Sequence, residues 1–429
     1  MQGNVRKLFL PFLLSLTLMI TLLVSVGFEA TAQSGATETP TSSPEDRPNR
    51  NDPAVFYGEP AVATGDAEWT LGERTFESFY PNGFTFTIEA SSSAGAIESA
   101  TVVWSHAPRN ITRRAAEFDE ESGRFVATWP GIAEASIPPW VAVNYQWRFT
   151  DEAGNTYVSE WFTGEEYYIT DEEWSRYESE DIIVFVEGTL PEETGQMTLD
   201  AMAAQRETYR QAWGSLLSNK PRAILFGSRD SWNRWRRGTE NPNVIGQTSS
   251  EWGGIAQVVS RGGIEDLTYG TVLHEVGHLY QNEFAPSGFP AGTWWIEGNA
   301  TFFELYQQYD YEQRVRDVAA AGQLPPLLDG SGPGATGRGP DGRGRFGYDV
   351  GYTFWKWIVM NYGLDAHRQI IEGVGRNRLR NEVLEEVLGM PIQEIESAWR
   401  VWLGASPTAP TLIPTPTIRI PPTVTPFGQ

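Results

Sequence analysis

Strict alternation of apolar and polar residues marks the first third of the chain. Phe84-Thr85-Phe86-Thr87-Ile88-Glu89-Ala90 has a period of two, and Ala100-Thr101-Val102-Val103-Trp104 and Phe125-Val126-Ala127-Thr128-Trp129 follow the same pattern. Residues 143–149 alternate as well, then pass through Asp151-Glu152-Ala153-Gly154-Asn155 into Thr156-Tyr157-Val158. Successive side chains on a strand point to opposite faces, so this pattern predicts strands with one buried face. Short alternating strands separated by Gly, Asn and Asp turns predict a β-sandwich of immunoglobulin or fibronectin-III type over residues 53–168. The Trp and Tyr residues of these strands are expected to pack its core and rim, the alternative being a sugar-binding platform. His106 falls just after a strand and is given no role.

From residue 181 the period changes. Runs at 181–186, 222–227 and 253–260 read as strands, and 198–217 and 231–237 as helices. Helical spacing then continues over 267–284 and 293–309, and again over 349–362, 365–373, 378–388 and 391–403. Residues 169–404 therefore predict an α+β domain with a helical C-terminal part. The stretch 329–347 is so dense in Gly that neither helix nor strand is expected there; it reads as a mobile flap near a cleft or a floppy connection. It is no phosphate loop, because no G-K-[ST] follows.

Composition supplies the cellular address. Arg6 and Lys7 precede an apolar run over 8–28, and Ala30-Thr31-Ala32 offers a small-x-small cleavage site, so residues 1–32 read as a secretory signal peptide. The run is long enough to span a bilayer, which makes an uncleaved N-terminal membrane anchor the alternative. Residues 33–52 and 405–429, rich in Ser, Thr and Pro, read as a disordered linker and a disordered tail or stalk. Cysteine is absent, which excludes disulfides, thiolate metal sites and a cysteine nucleophile. A net charge of −23 argues against a nucleic-acid partner. The expected location is secreted or cell-envelope.

The chemistry concentrates on two predicted helices. His274 and His278 stand at i and i+4, so both imidazoles aim at one point, and Glu275 is displaced around the helix, within reach of a water there. This is the H-E-x-x-H zinc arrangement: two ligands and a general base. Leu273, Val276 and Leu279 already form the buried stripe, so the histidines lie on a neighbouring face, where burial without a partner would be costly. A third ligand is needed, and Glu297, at the start of the next helix, is the candidate. The metzincin pattern is excluded, because Gln281 and Phe284 occupy its Gly and third-His positions. One zinc ion per chain is expected. Each ligating His should donate its second N–H to another group. Glu304 is one candidate partner, and Asn299 is a candidate for bonding the ligand helix. His367, on a later helix, reads as a surface or packing residue.

H-E-x-x-H, eighteen residues and then Glu297 within W-x-x-E-G-x-A resemble the gluzincin peptidases, most closely the bacterial peptidase MA-like group. The resemblance covers roughly residues 53–404. It implies a zincin-like, thermolysin-like metallopeptidase domain behind the β-sandwich. It also implies a Tyr in a Y-x-x-G motif as oxyanion donor, which is Tyr348 in Tyr348-Asp349-Val350-Gly351, with Tyr352 as the fallback. A cleft-edge strand that pairs with extended substrate is implied too, and 255–260 is the stretch that matches. Aminopeptidases of this superfamily carry a Glu there for the substrate's α-amine; Ala256 stands in its place. The chain therefore reads as an exported zinc metallohydrolase acting on peptide or protein, an endopeptidase rather than an aminopeptidase. The competing reading is a surface adhesion protein with a vestigial zincin domain.

Overall fold

The alternating strands close into one curled antiparallel sheet. The computed structural model describes residues 53–108, 110–131, 137–236, 244–285, 292–328 and 332–409. After a short helix α1 (Pro53–Tyr57) come β1 (Val62–Thr64), β2 (Trp69–Ser78), β3 (Phe84–Ser92), β4 (Ile97–Ser105), β5 (Ile111–Asp119), β6 (Arg124–Trp129), β7 (Ala142–Asp151), β8 (Thr156–Val158) and β9 (Phe162–Glu166). Their order is β1-β8-β7-β4-β5-β6-β3-β2, with β9 beside β7. The sequence suggested two separate sheets, but β5 joins the halves. Its first part, Ile111 to Ala116, pairs with β4, and its last part, Glu117 to Asp119, pairs with β6. Alternation reports which face of a strand is buried and says nothing about such a continuation.

The curl brings the halves face to face. Phe86 of β3 packs 5.7 Å from Trp104 and 4.9 Å from Tyr145, and Phe125 packs 5.7 Å from Phe149, centroid to centroid. Trp104, Tyr145 and Trp147 are buried in this core and form no surface platform.

A second sheet contains β10 (Trp174–Glu178), β11 (Ile183–Glu187), β12 (Arg222–Phe226), β13 (Gly246–Ser249) and β14 (Gly254–Val258), ordered β10-β11-β12-β14-β13. The pairs β11–β12 and β12–β14 are parallel, and β13 pairs antiparallel to β14. The inner strands are largely apolar because both faces are covered, with Gln257 of β14 a buried polar exception. Ile183, Phe185, Ile224, Phe226, Ala256 and Val258 join the core of the first sheet, whereas Val184, Val186, Ala223, Leu225 and Ile255 face the helices. The edge strand is therefore β13 and not 255–260. Gly246-Gln247-Thr248-Ser249 lacks the apolar run that betrays a buried strand, so pattern alone passes it over. Ala256 points away from the cleft, toward the first sheet.

The helices are α2 (Glu193–Trp213), α3 (Arg229–Trp235), a turn α4 (Gly263–Glu265) leading into a π-helical segment at Asp266–Thr271, α5 (Val272–Phe284), α6 (Thr293–Phe302), α7 (Tyr311–Ala320), α8 (Phe346–Gly375), α9 (Arg380–Leu388) and α10 (Ile392–Trp402). Helix α6 stops before Glu304. Asp310 caps α7 by accepting from Gln313 N at 2.8 Å, a start signal directly after the 293–309 stretch expected as one helix. Helix α8 breaks at Gly363, whose φ is 80°.

The Gly-rich stretch is irregular and firmly held. Arg314 of α7, 3% exposed, donates to both carboxylate oxygens of Asp341 (2.8 and 2.9 Å) and to the carbonyls of Arg343 and Gly344 (2.8 Å each). This bonding replaces the floppy connection suggested by the glycines; residues 329–331 lie outside the described residues. No helix among the described residues is long and apolar enough to cross a membrane. The apolar run at 8–28 lies outside them.

Candidate metal centre

Helices α5 and α6 cross where both backbones can approach closely. A Cβ on Gly277 would lie 3.3 Å from Ala300 Cα. Val272, Leu273, Val276 and Leu279 are buried among the helices, and Tyr209 donates from its hydroxyl to Leu273 O at 2.7 Å. That anchoring turns His274 and His278 toward α6, their rings 4.8 Å apart and nearly perpendicular. Glu297 Oε2 lies 3.1 Å from His274 Nε2 and 3.3 Å from His278 Nε2. One donor atom from each of the three residues falls within 4.8 Å of the others. Two imidazole nitrogens and a carboxylate oxygen are a zinc donor set of the open, three-ligand kind.

The second nitrogens are occupied differently. His274 Nδ1 donates to Glu304 Oε1 at 3.0 Å, and Tyr311 donates from its hydroxyl to Glu304 Oε2 at 3.0 Å. His278 Nδ1 faces Gln281 Oε1 at 2.8 Å. Asn299 reaches the ligand helix by accepting from Gln281 Nε2 at 3.0 Å. Burial opposes a charge on His274, but the bonds to Glu297 and Glu304 prevail and raise its pKa to about 10. Burial also works to raise the pKa of Glu297, yet the bonds from both histidines hold it far below the usual carboxylate range.

Glu275 and Tyr348 line the same cleft, of about 590 Å³, together with Gly246, Gln247 and Thr248 of the edge strand and Thr336 of the Gly-rich loop. The Thr248 hydroxyl donates to the Glu275 carboxylate. Gly246 makes this approach feasible, because a Cβ there would sit 2.6 Å from Glu275 Oε1. Tyr348 stacks over His274 at 5.7 Å, and its hydroxyl hydrogen-bonds Glu297. Burial and the neighbouring Glu297 push the Tyr348 pKa up. The Arg345 guanidinium lies 4.5 Å above the Tyr348 ring, held by a left-handed residue at φ 62°. Tyr352 lies elsewhere: it is buried against Tyr311 and Lys356 and does not line the cleft. From Tyr348 the next residues on the same helix side are Gly351 and Tyr352, and the former packs against α6.

His367 is fully buried between Ala212 O (2.8 Å) and Asn299 Nδ2 (2.7 Å), a packed core histidine and not a surface one. His106 is bonded through Nδ1 to Ala142 O at 2.8 Å. Sequence reasoning passed over Thr248, Tyr311, Arg345 and Gln281. Only Gln281 carried a readable signal, standing three residues after His278 and so on its helix face.

No protein-family model matches the chain, and no curated protein matches it. Among solved structures it is similar to an M1 zinc metallopeptidase from Deinococcus radiodurans, at 13% identity over 81% of this chain and 94% of that one, with a TM-score of 0.32. It is also similar to native leukotriene A4 hydrolase from Saccharomyces cerevisiae, at 8% identity over 78% of this chain and 67% of that one, with a TM-score of 0.31.

Proposed function

We infer that the chain is an exported zinc-dependent hydrolase of amide bonds, a zincin-like endopeptidase acting on peptide or protein, with residues 8–28 directing export. One observation carries this reading: His274, His278 and Glu297 converge on one point, and Glu275 and Tyr348 face the same cleft. Zinc held by the three ligands supplies Lewis acidity and makes water a stronger acid. Glu275, aimed by Thr248, takes a proton from the attacking water and returns it to the nitrogen of the departing amine. The Tyr348 hydroxyl, beside Glu297, donates to the oxygen that gains negative charge as the carbonyl becomes tetrahedral. A phenol kept protonated by burial suits that task.

The lining residues favour internal bonds. Among the described residues of the cleft the carboxylates are Glu275 and Glu297, so no further anion awaits a free α-amine. Lys and Arg are absent from the described residues of the same lining, so none of these offers a cation to a terminal carboxylate. Gln247 and Thr248 present the edge-strand backbone to an extended chain.

The test is metal analysis combined with Glu275→Gln. Wild-type protein should hold one zinc and cleave peptides blocked at both ends. Glu275→Gln should retain zinc and lose activity by about 10²–10⁴-fold. Protein without zinc, or activity confined to free N-termini, would overturn the reading.

A further inference from the structure

The two metal-facing histidines are supported in unlike ways. His274 leans on a carboxylate, Glu304. His278 leans on an amide, Gln281, and an amide can be turned either way round. Something must therefore settle which end of Gln281 faces the ring. The hydrogen bonds behind it do so, and they can be followed inward one donor at a time.

The chain ends at a backbone carbonyl. His367 Nδ1 lies 2.8 Å from Ala212 O, and a carbonyl only accepts, so Nδ1 carries the hydrogen. Burial pulls the His367 pKa down to about 4, so the ring is neutral and its Nε2 is bare. Asn299 Nδ2, 2.7 Å away, donates to that lone pair. This sets the Asn299 amide with Oδ1 toward Gln281 Nε2, which donates to it at 3.0 Å and gives its other hydrogen to Ile296 O at 2.9 Å. Gln281 thereby presents Oε1 to His278 Nδ1 at 2.8 Å. An amide oxygen only accepts, so His278 Nδ1 keeps its hydrogen and Nε2 is the nitrogen free to face Glu297 and the metal. Reversing either amide would set acceptor against acceptor at one contact and donor against donor at the next. Gln281, Asn299 and His367 are each at least nine-tenths buried, so water does not relieve such a clash.

We propose that Gln281, Asn299 and His367 form a one-way hydrogen-bond relay that fixes the tautomer and orientation of His278, with His367 a positioning residue acting on the metal centre through two amides. The inference rests on the metal-binding reading of the centre. The relay itself concerns where a proton sits, and so it can be measured with or without metal. It gives His278 a neutral support that adds no charge, whereas Glu304 adds an anion behind His274.

The experiment is nitrogen-resolved NMR of histidine-labelled full chain, with and without zinc, combined with zinc affinity from chelator competition. The expected result in wild type is a proton on His278 Nδ1 in both states. His367→Phe keeps a ring among Trp213, Phe303 and Trp355 but removes both nitrogens. It should weaken zinc binding by roughly tenfold or more and broaden or split the His278 signal. His367→Gln, which can accept from Asn299 and donate to Ala212 O, should recover most of both. Gln281→Leu should lose zinc affinity by about 10–100-fold, and Gln281→Glu, which still accepts from Nδ1, should lose far less. A bare Nδ1 on His278 in wild type would overturn the relay without any variant having to fold. So would unchanged affinity and an unchanged His278 signal in His367→Phe. If wild type takes up no zinc, the functional reading fails, and the proton position in zinc-free protein still decides the relay.

Discussion

Glu297 and Tyr348 come together because two glycines let their helices touch. Gly298 follows Glu297 on α6, and Gly351 lies one turn after Tyr348 on α8. A Cβ on Gly351 would sit 2.0 Å from Trp294 O and 2.7 Å from Gly298 Cα, and a Cβ on Gly298 would sit 2.2 Å from Gly351 Cα. Both walls are backbone, so no side chain can swing aside. In Gly351→Ala the helices must part by roughly 1.4 Å to bring the 2.0 Å approach to an ordinary 3.4 Å contact. Overpacking of this kind costs about 1–3 kcal/mol, and rigid walls on both sides place it near the upper end. For a chain of this size that lowers Tm by about 2–10 °C. The same displacement moves Tyr348 from Glu297 and from its stack over His274, and an error near 1 Å in a catalytic group can cost about 10²-fold in rate. Thermal melting and kcat on a blocked peptide measure the two effects. Gly344→Ala is the control, since a Cβ there meets only Thr336 O at 3.8 Å. Wild-type Tm and kcat in Gly351→Ala, or equal damage in the control, would refute the close-approach argument.

Three further outcomes follow from the same geometry. Tyr348→Phe should lower kcat by about 10²–10³-fold with KM and zinc content little changed, because the hydroxyl acts on charge that develops only in the transition state; a change confined to KM would contradict this. Arg314→Met removes the cation that holds buried Asp349 and the loop carbonyls and should destabilise the fold by about 3–5 kcal/mol in denaturant titration, whereas wild-type stability would show the loop is held by other contacts. Zinc binding must expel the proton that His274 holds up to pH about 10, so affinity should rise by about tenfold per pH unit near neutrality, with about one proton released in calorimetry across buffers of different ionisation enthalpy. The sign for folding without zinc is the reverse. The raised pKa of His274 contributes stability that is complete below its ordinary 6.5 and is lost as pH climbs toward about 10.

The helices of the centre were legible because local spacing dictates them. His274 and His278 at i and i+4 share a face whatever surrounds them, and Leu273, Val276 and Leu279 say which side is buried. The inner strands β11, β12 and β14 were legible for a similar reason, since two covered faces leave a mostly apolar run, interrupted in β14 only by Gln257. What escaped depends on tertiary pairing. Gly246-Gln247-Thr248-Ser249 is polar because it borders a cleft, so it has no period to detect, and the neighbouring apolar run at 255–260 drew the edge assignment instead. Arg314 binds a loop whose glycines advertise freedom, and nothing local reveals a guanidinium arriving from another helix. His367 could be read as packing, but its bond to Asn299 joins residues 68 apart in sequence.

These long-range ties explain why the centre can be rigid although its ligands sit on short helices. Each group that touches the chemistry is fixed from a different part of the fold. Thr248 on the sheet edge holds Glu275, and Tyr311 at the start of α7 holds Glu304 behind His274. Arg345, at the end of the loop that Arg314 ties down, lies over Tyr348. His278 is referred through two amides to the carbonyl of Ala212 near the end of α2. A carboxylate support for both histidines would place two anions behind a site that already contains Glu297 and Glu275, in a chain with a net charge of −23. Each added anion makes the centre a stronger cation trap and a weaker Lewis acid, because ligand charge offsets the polarising power of the ion. An amide behind His278 orients the ring without that cost. If the centre acts as the amide hydrolase proposed above, the unequal pair, Glu304 and Gln281, balances tight metal binding against the acidity that such a reaction demands.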